Sequence, residues 1–172
     1  MKRHLLFAVM TVLTLSIASC SPETPKSLVL YYSQTGATET VAQEIQSLLG
    51  ADIESIELQN PYSGTYGETI ARVSEERANG TLPEVLPLKS DLSKYDVIFL
   101  GYPIWFGTYA PPIASLVKDY DFAGKKIVTF CTFGSGGMEP AAKDLTANLP
   151  KATIAKIISV STMHVLTQRQ KR

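Results

Sequence analysis

The sequence predicts an α/β domain built on an open, doubly wound parallel sheet, and three observations lead there. Residues 97–101 and 127–131 are continuous apolar runs, the pattern of central parallel strands covered on both faces. Segments of helical periodicity separate these runs from other strand-like stretches, giving the order βαβαβαβαβ with right-handed crossovers. The chain of 172 residues, 45% hydrophobic and 19% charged, has the size and balance of one ordinary domain. A domain of this length buries roughly 70% of the surface its unfolded chain exposes, so its core needs neither a disulfide framework nor a structural metal. The composition likewise excludes a disordered chain. Lys and Arg together number 16 and are cancelled by 16 Asp and Glu, so the positive field that nucleic-acid binding requires is missing.

The N-terminus reads as a targeting segment. Lys2, Arg3 and His4 precede an apolar stretch, 5–18, that is too short and too rich in Thr and Ser to span a membrane comfortably. Its end, Ile17, Ala18, Ser19 and Cys20, resembles the lipobox of bacterial lipoproteins, in which the cysteine is lipidated and becomes the first mature residue. The alternatives are an exported protein with an incidental Cys20 and an uncleaved anchor. The expected division is a signal peptide over 1–19, the lipidated Cys20 with a linker over 20–26, and one domain over 27–172. Pro22 and Pro25 among small polar residues make the linker extended. The expected location is the bacterial cell envelope, with the domain exported, lipid-anchored and otherwise soluble. Loss of Lys2 and Arg3 would leave it weakly acidic, with Cys131 as its free thiol.

The first strand is the apolar run 28–32, followed by a helix over 38–49 whose Val41, Ile45, Leu48 and Leu49 recur at helical spacing. Ile53, Ile56 and Leu58 alternate with acidic or polar residues, which suggests an edge strand with one wet face, closed by Asn60 and Pro61. A polar helix over 67–79 carries only Ile70, Ala71 and Val73 as apolar residues, predicts light packing, and stops at Asn79 and Gly80. The runs 97–101 and 127–131 supply the third and fourth strands. A helix over 111–118 starts on Pro111 and Pro112, another over 138–149 precedes Pro150, and 153–160 makes the fifth strand.

In such a sheet ligands bind beyond the carboxyl ends of the strands. The first loop there is Ser33, Gln34, Thr35, Gly36, Ala37 and Thr38. Hydroxyls, a glycine and a helix N-terminus can wrap a phosphate with O–H groups, backbone N–H groups and the helix dipole. The loop holds no Lys or Arg and lacks the Gly-Lys-Ser/Thr ending of a triphosphate site, so the expected ligand is a monophosphate. Taken alone, Thr38 is also explained as a helix cap.

These residues carry a family resemblance. Segment 28–38, with Ser33, Thr35, Gly36 and Thr38 in the pattern Ser/Thr-x-Thr-Gly-x-Thr, resembles the first strand and phosphate loop of flavodoxins. The resemblance continues through 95–107, Pro111 and Pro112, and 132–137, and so spans nearly all of the mature chain. It implies a five-stranded parallel sheet in the order 2-1-3-4-5, noncovalent FMN, and electron transfer between redox partner proteins. One feature departs from the pattern. Flavodoxins close with a helix over one sheet face, whereas 162–172 is short, ends in Arg169, Lys171 and Arg172, and offers only Met163, Val165 and Leu166 as sizeable apolar residues. The C-terminal helix is therefore expected to be short or missing, leaving part of one sheet face without cover.

Given the resemblance, the second loop, 102–109, supplies what a flavin ring needs. Pro103, Ile104, Trp105, Phe106 and Gly107 offer apolar planes, and Gly101 and Gly107 permit close backbone approach. Alone, such an aromatic cluster reads as core; parallel topology puts it on one rim with the phosphate loop. Whether Trp105 or a tyrosine stacks on the ring is left open. The third loop, 132–137, holds Thr132, Phe133, Gly134, Gly136 and Gly137, whose backbone amides could line the ring's other edge and adjust to its redox state.

Other chemistries fit less well. Phe133 stands where a nucleophile elbow around Ser135 needs glycine. Cys131 lacks the arginine of a Cys-x5-Arg phosphatase loop, so its thiol should stay protonated and buried. His164 is the only histidine beyond the signal, no Cys/His cluster suggests a metal, and Asp91 and Asp96 do not form a phosphoacceptor pair. The expected function is an FMN-binding electron carrier, monomeric and without an assigned catalytic residue. The alternatives are an FMN-dependent NAD(P)H or quinone oxidoreductase on the same fold, and a flavin-free binding module.

Overall fold

The first apolar run becomes β1 (Ser27–Tyr31), and a glycine in left-handed conformation, Gly36, turns the chain into α1 (Ala37–Leu49). In this computed structural model the described residues are 24–162, 164 and 165. The expectations for the signal peptide, the lipidated Cys20 and most of the linker, and for the end of the tail, lie outside them. After β2 (Asp52–Ser55) and α2 (Tyr66–Asn79) come β3 (Val97–Trp105), β4 (Thr108–Tyr109), α3 (Pro111–Asp119), β5 (Lys126–Phe133), α4 (Met138–Asn148) and β6 (Thr153–Ser161).

The strands are ordered β2-β1-β3-β5-β6, each pair parallel, with the short β4 pairing antiparallel to β3. With β4 set aside this is the expected 2-1-3-4-5 order, and β2 is the edge strand its alternating pattern predicts. Side chains of β1 alternate between two cores, as the period of a strand requires. Leu28 and Leu30 join Ile98, Leu100 and Ile127 against Val73 of α2, Ile113 and Leu116 of α3, and Ala141 and Leu145 of α4. Val29 and Tyr31 join Phe130 against Ala42 of α1, with Val41, Ile45 and Phe99 at the margin. Three helices thus cover one face and α1 packs on the other, which explains the unbroken apolar runs of β3 and β5.

Beyond β6 no complete helix is present among the described residues. Thr162, His164 and Val165 have helical backbone, Val165 is buried, and Ile158 of β6 remains 46% exposed.

Several elements differ from their sequence outline. β2 ends at Ser55, and Leu58 leaves the sheet to make an isolated antiparallel bridge with Val85. α2 opens on a capping box, in which Thr65 Oγ1 accepts from the Glu68 amide at 3.3 Å and Glu68 Oε2 accepts from the Thr65 amide at 2.5 Å. The helix buries only Thr69 and Val73, in keeping with its polar sequence. The largest difference is in 102–109, read as a loop from sequence. Here β3 continues to Trp105 and turns back as a hairpin through Phe106 and Gly107, with Trp105 opposite Thr108. β5 also runs on to Phe133, so Thr132 and Phe133 belong to a strand. Gly101, read as room for a ligand, instead makes room for the core: a methyl group there would overlap the Phe130 ring.

Candidate functional site

The carboxyl ends of β1, β3 and β5 open onto a cavity of about 500 Å³, within the range of roughly 300–1,000 Å³ usual for cofactor sites. Ser33, Gln34, Thr35, Ala37 and Thr38 line it from the β1–α1 turn, and Pro103, Ile104, Trp105, Phe106 and Gly107 from the end of β3. Thr132, Phe133, Gly134, Ser135 and Gly136 complete it from β5 and the turn that follows. Gly36 and Gly137 stand outside the lining, as the N-cap residues of α1 and α4. The topology therefore brings together the three segments singled out by sequence, because parallel strands place every strand-to-helix turn on one rim.

Sequence reasoning missed the wall that α2 contributes. Tyr66, Thr69, Ile70 and Val73 line the cavity, as does Thr162 after β6. The capping signature Thr65-x-x-Glu68 marks where α2 begins, but nothing in the sequence tells which sheet edge its first turn overhangs.

Among the described residues, none that lines the cavity is charged. The N-terminus of α1, which borders the cavity, has no side-chain cap, and Gly36 holds it with φ 82°. Its first-turn amides and the positive end of its dipole remain available to an anion, in contrast to the self-capped α2. α4 likewise begins at Gly137 without a side-chain cap. Thr38 Oγ1 and Thr132 Oγ1 share a hydrogen bond of 2.8 Å, joining the β1–α1 turn to β5. The Gln34 amide donates to Thr69 Oγ1 at 2.8 Å, so this side chain ties the turn to α2.

Part of the wall is aromatic. Trp105 packs at near right angles against Tyr32 and Tyr62, with centroids 5.9 and 5.3 Å apart. Trp105 lines the cavity, whereas Tyr32 and Tyr62 are buried outside its lining; the tyrosine that does line it, Tyr66, is 82% exposed. Burial raises the phenol pKa of Tyr32 well above its ordinary value, and burial together with the Glu76 carboxylate does the same for Tyr62. Phe106 sits at the hairpin tip with φ 49° and half its surface exposed. The hairpin and the β5–α4 turn are in close contact: a Cβ on Gly137 would come within 2.7 Å of Ile104 Cγ2 and 2.8 Å of Gly107 Cα.

Cys131 points into the core, and burial pushes its thiol pKa up to about 11, which keeps it protonated at neutral pH. Among the described residues no group of His, Cys, Asp and Glu could hold a metal ion.

The family model for flavodoxins matches residues 26–168. Flavodoxin 1 of Escherichia coli K12 is 28% identical over 119 residues, covering 67% of this chain and 52% of that protein. An NAD(P)H dehydrogenase (quinone) of Gluconacetobacter diazotrophicus is 33% identical over 90 residues, covering 52% of this chain and 44% of that protein. The matches thus span about half the length of these curated relatives. Among solved structures, a candidate flavoprotein from Bacteroides uniformis superposes with a TM-score of 0.73 at 27% identity, covering 86% of this chain and 99% of that one. A flavoprotein from Lactobacillus acidophilus, solved in complex with FMN, shares the fold with a TM-score of 0.67 at 20% identity, covering 84% and 98% of the two chains. Sheet order, the Ser33–Thr38 turn on α1 and a family match along most of the described chain lead to one conclusion: the chain belongs to the flavodoxin family.

Proposed function

We propose that this chain is an FMN-binding electron carrier, anchored at a bacterial envelope membrane by a lipid on Cys20 and serving redox partner proteins as a monomer. The observation that carries the cofactor is the pairing, in one uncharged cavity, of an uncapped helix N-terminus with an aromatic wall. The residues fit FMN. Ser33 and Thr35 hydroxyls and the first-turn amides of α1 would hold the phosphate, and Thr38 retains bonding capacity beside its bond to Thr132. Trp105 would cover the ring, Phe106 and Tyr66 would shield its exposed side from water, and the backbone of Gly134 and Gly136 would lie along its edge. Bound there, FMN supplies one- and two-electron redox chemistry; the protein sets its affinity and surroundings.

The anchor rests on the sequence: a basic start, a short apolar stretch, a lipobox-like end at Cys20 and an extended linker. Replacing Cys20 with Ser should release the protein from the membrane fraction or leave the signal uncleaved.

The likeness to an NAD(P)H dehydrogenase (quinone) supports a second reading, an FMN-dependent reductase. Two large, exposed aromatic side chains that line the cavity, Tyr66 and Phe106, favour the carrier, since they would take up room that a nicotinamide would need beside the ring. Purified protein should take up FMN and consume NADH or NADPH negligibly without an added reductase. Brisk oxidation of either by the FMN-loaded protein alone would replace the carrier by the enzyme.

A further inference from the structure

Against the indole of Trp105 lies a side-chain network whose link to the β1–α1 turn is the Gln34 amide, 3.5 Å from the Tyr62 carbonyl. Tyr62, in the segment between β2 and α2, is 6% exposed and meets Trp105 at an interplanar angle of 83°. Its hydroxyl donates to Glu76 Oε2. Glu76 Oε1 accepts from Arg72 Nε at 2.9 Å, and the Arg72 guanidinium lies 4.2 Å from the Tyr62 ring centroid. A second nitrogen of Arg72 donates to the carbonyls of Asn60 and Pro61, at 2.9 and 3.0 Å, fixing the backbone that leads into Tyr62. The Tyr62 ring is therefore held at its hydroxyl, on its face and through its preceding backbone. A ring needed only as filler would be served by Phe or Leu without a half-buried ion pair, whose two charges cost desolvation. Such an arrangement spends stability on orientation, and the group it orients against is the indole that lines the cavity.

We propose that Tyr62, fixed by Arg72 and Glu76, is a positioning residue that sets the angle of Trp105 toward the cavity and thereby the affinity for the flavin ring. The role rests on the FMN reading above. Tyr62 does not itself line the cavity and acts through Trp105.

Trp105 is the only tryptophan of the chain, so its emission reports on the indole even without cofactor. The experiment uses the full chain, with acrylamide quenching of tryptophan fluorescence in the FMN-free protein and FMN titration of the same samples. Tyr62→Leu and Arg72→Met should both raise the quenching constant and weaken FMN, roughly tenfold for Tyr62→Leu and less for Arg72→Met. Tyr62→Phe, which keeps the ring under Arg72 but loses the bond to Glu76, should fall between Tyr62→Leu and wild type in both properties. Arg72 is partly exposed, so its replacement tests the network even where loss of the buried ring disturbs folding, which circular dichroism will report. Unchanged quenching in Arg72→Met, or raised quenching with FMN affinity at the wild-type value, overturns the positioning role and leaves the FMN reading standing. Wild-type protein that takes up no FMN overturns the cofactor reading, and the positioning role falls with it.

Discussion

The hydroxyls of Thr38 and Thr132 lie 2.8 Å apart, both side chains almost fully buried, and so bolt the β1–α1 turn to the end of β5. Because the pair is shut away from water, removing one hydroxyl strands the other. Thr38→Val or Thr132→Val alone should cost the FMN-free protein about 1–3 kcal/mol, while the double replacement should be nearly neutral. Urea unfolding of the three variants checks this; additive losses would mean the two hydroxyls do not depend on each other.

The contact between Gly137 and the hairpin makes a second prediction. Gly137 has φ 89° and no space for a methyl group, whereas Gly136 has φ 74° with nothing within 4 Å of an added Cβ. Gly136→Ala should cost only the left-handed backbone strain, about 1–2 kcal/mol, and Gly137→Ala distinctly more because Ile104 and Gly107 must also move. Thermal melting of the two variants under identical conditions gives the ranking, and equal losses would show that the packing against the hairpin is loose.

Phe106 occupies a position that two-residue hairpins give to Asn, Asp or Gly, with Phe106 at φ 49° and Gly107 at φ 77°. Its ring is half exposed, so little burial offsets the strain. Phe106→Asn should leave the FMN-free protein as stable as wild type or stabilise it by up to about 1 kcal/mol, while weakening FMN. Loss of stability together with unchanged FMN affinity would show the ring to be structural.

Alkaline pH should weaken the fold through Cys131. Its folded pKa, about 11, is raised above the ordinary thiol value by burial, so the unfolded chain gives up the proton first. The contribution is fully present below the ordinary thiol range and is lost as pH rises through about 11. The raised phenols of Tyr32 and Tyr62 act in the same direction at higher pH. In urea titrations across the alkaline range, Cys131→Ala should flatten the first part of this decline, and iodoacetamide should label native Cys131 only slowly at neutral pH.

The site was legible in sequence where backbone chemistry is written in residue type. The spacing of Ser33, Thr35, Gly36 and Thr38 after an apolar run specifies a turn onto a helix, and that turn lies at the carboxyl end of β1. The hairpin after β3 was hidden because Phe106 gives no turn signal at the left-handed position. The α2 wall was hidden for a different reason. Ile70, Ala71 and Val73 mark a polar helix in the sequence, but the position of Tyr66 depends on the path of 56–65, held by the Leu58–Val85 bridge and by Arg72 on the carbonyls of Asn60 and Pro61. Those are tertiary contacts with no local pattern. Gly101 shows the converse, a glycine read as a ligand approach whose missing side chain accommodates Phe130.

The central claim, an uncharged monophosphate site on the α1 N-terminus with Trp105 in the same cavity, is tested most directly by titrating cofactor-free protein with FMN and with riboflavin and following flavin fluorescence. The two differ only in the phosphate. Hydrogen bonds to a charged group from the Ser33–Thr38 turn should make FMN bind roughly a hundredfold more tightly than riboflavin. Equal affinity for the two would contradict the account.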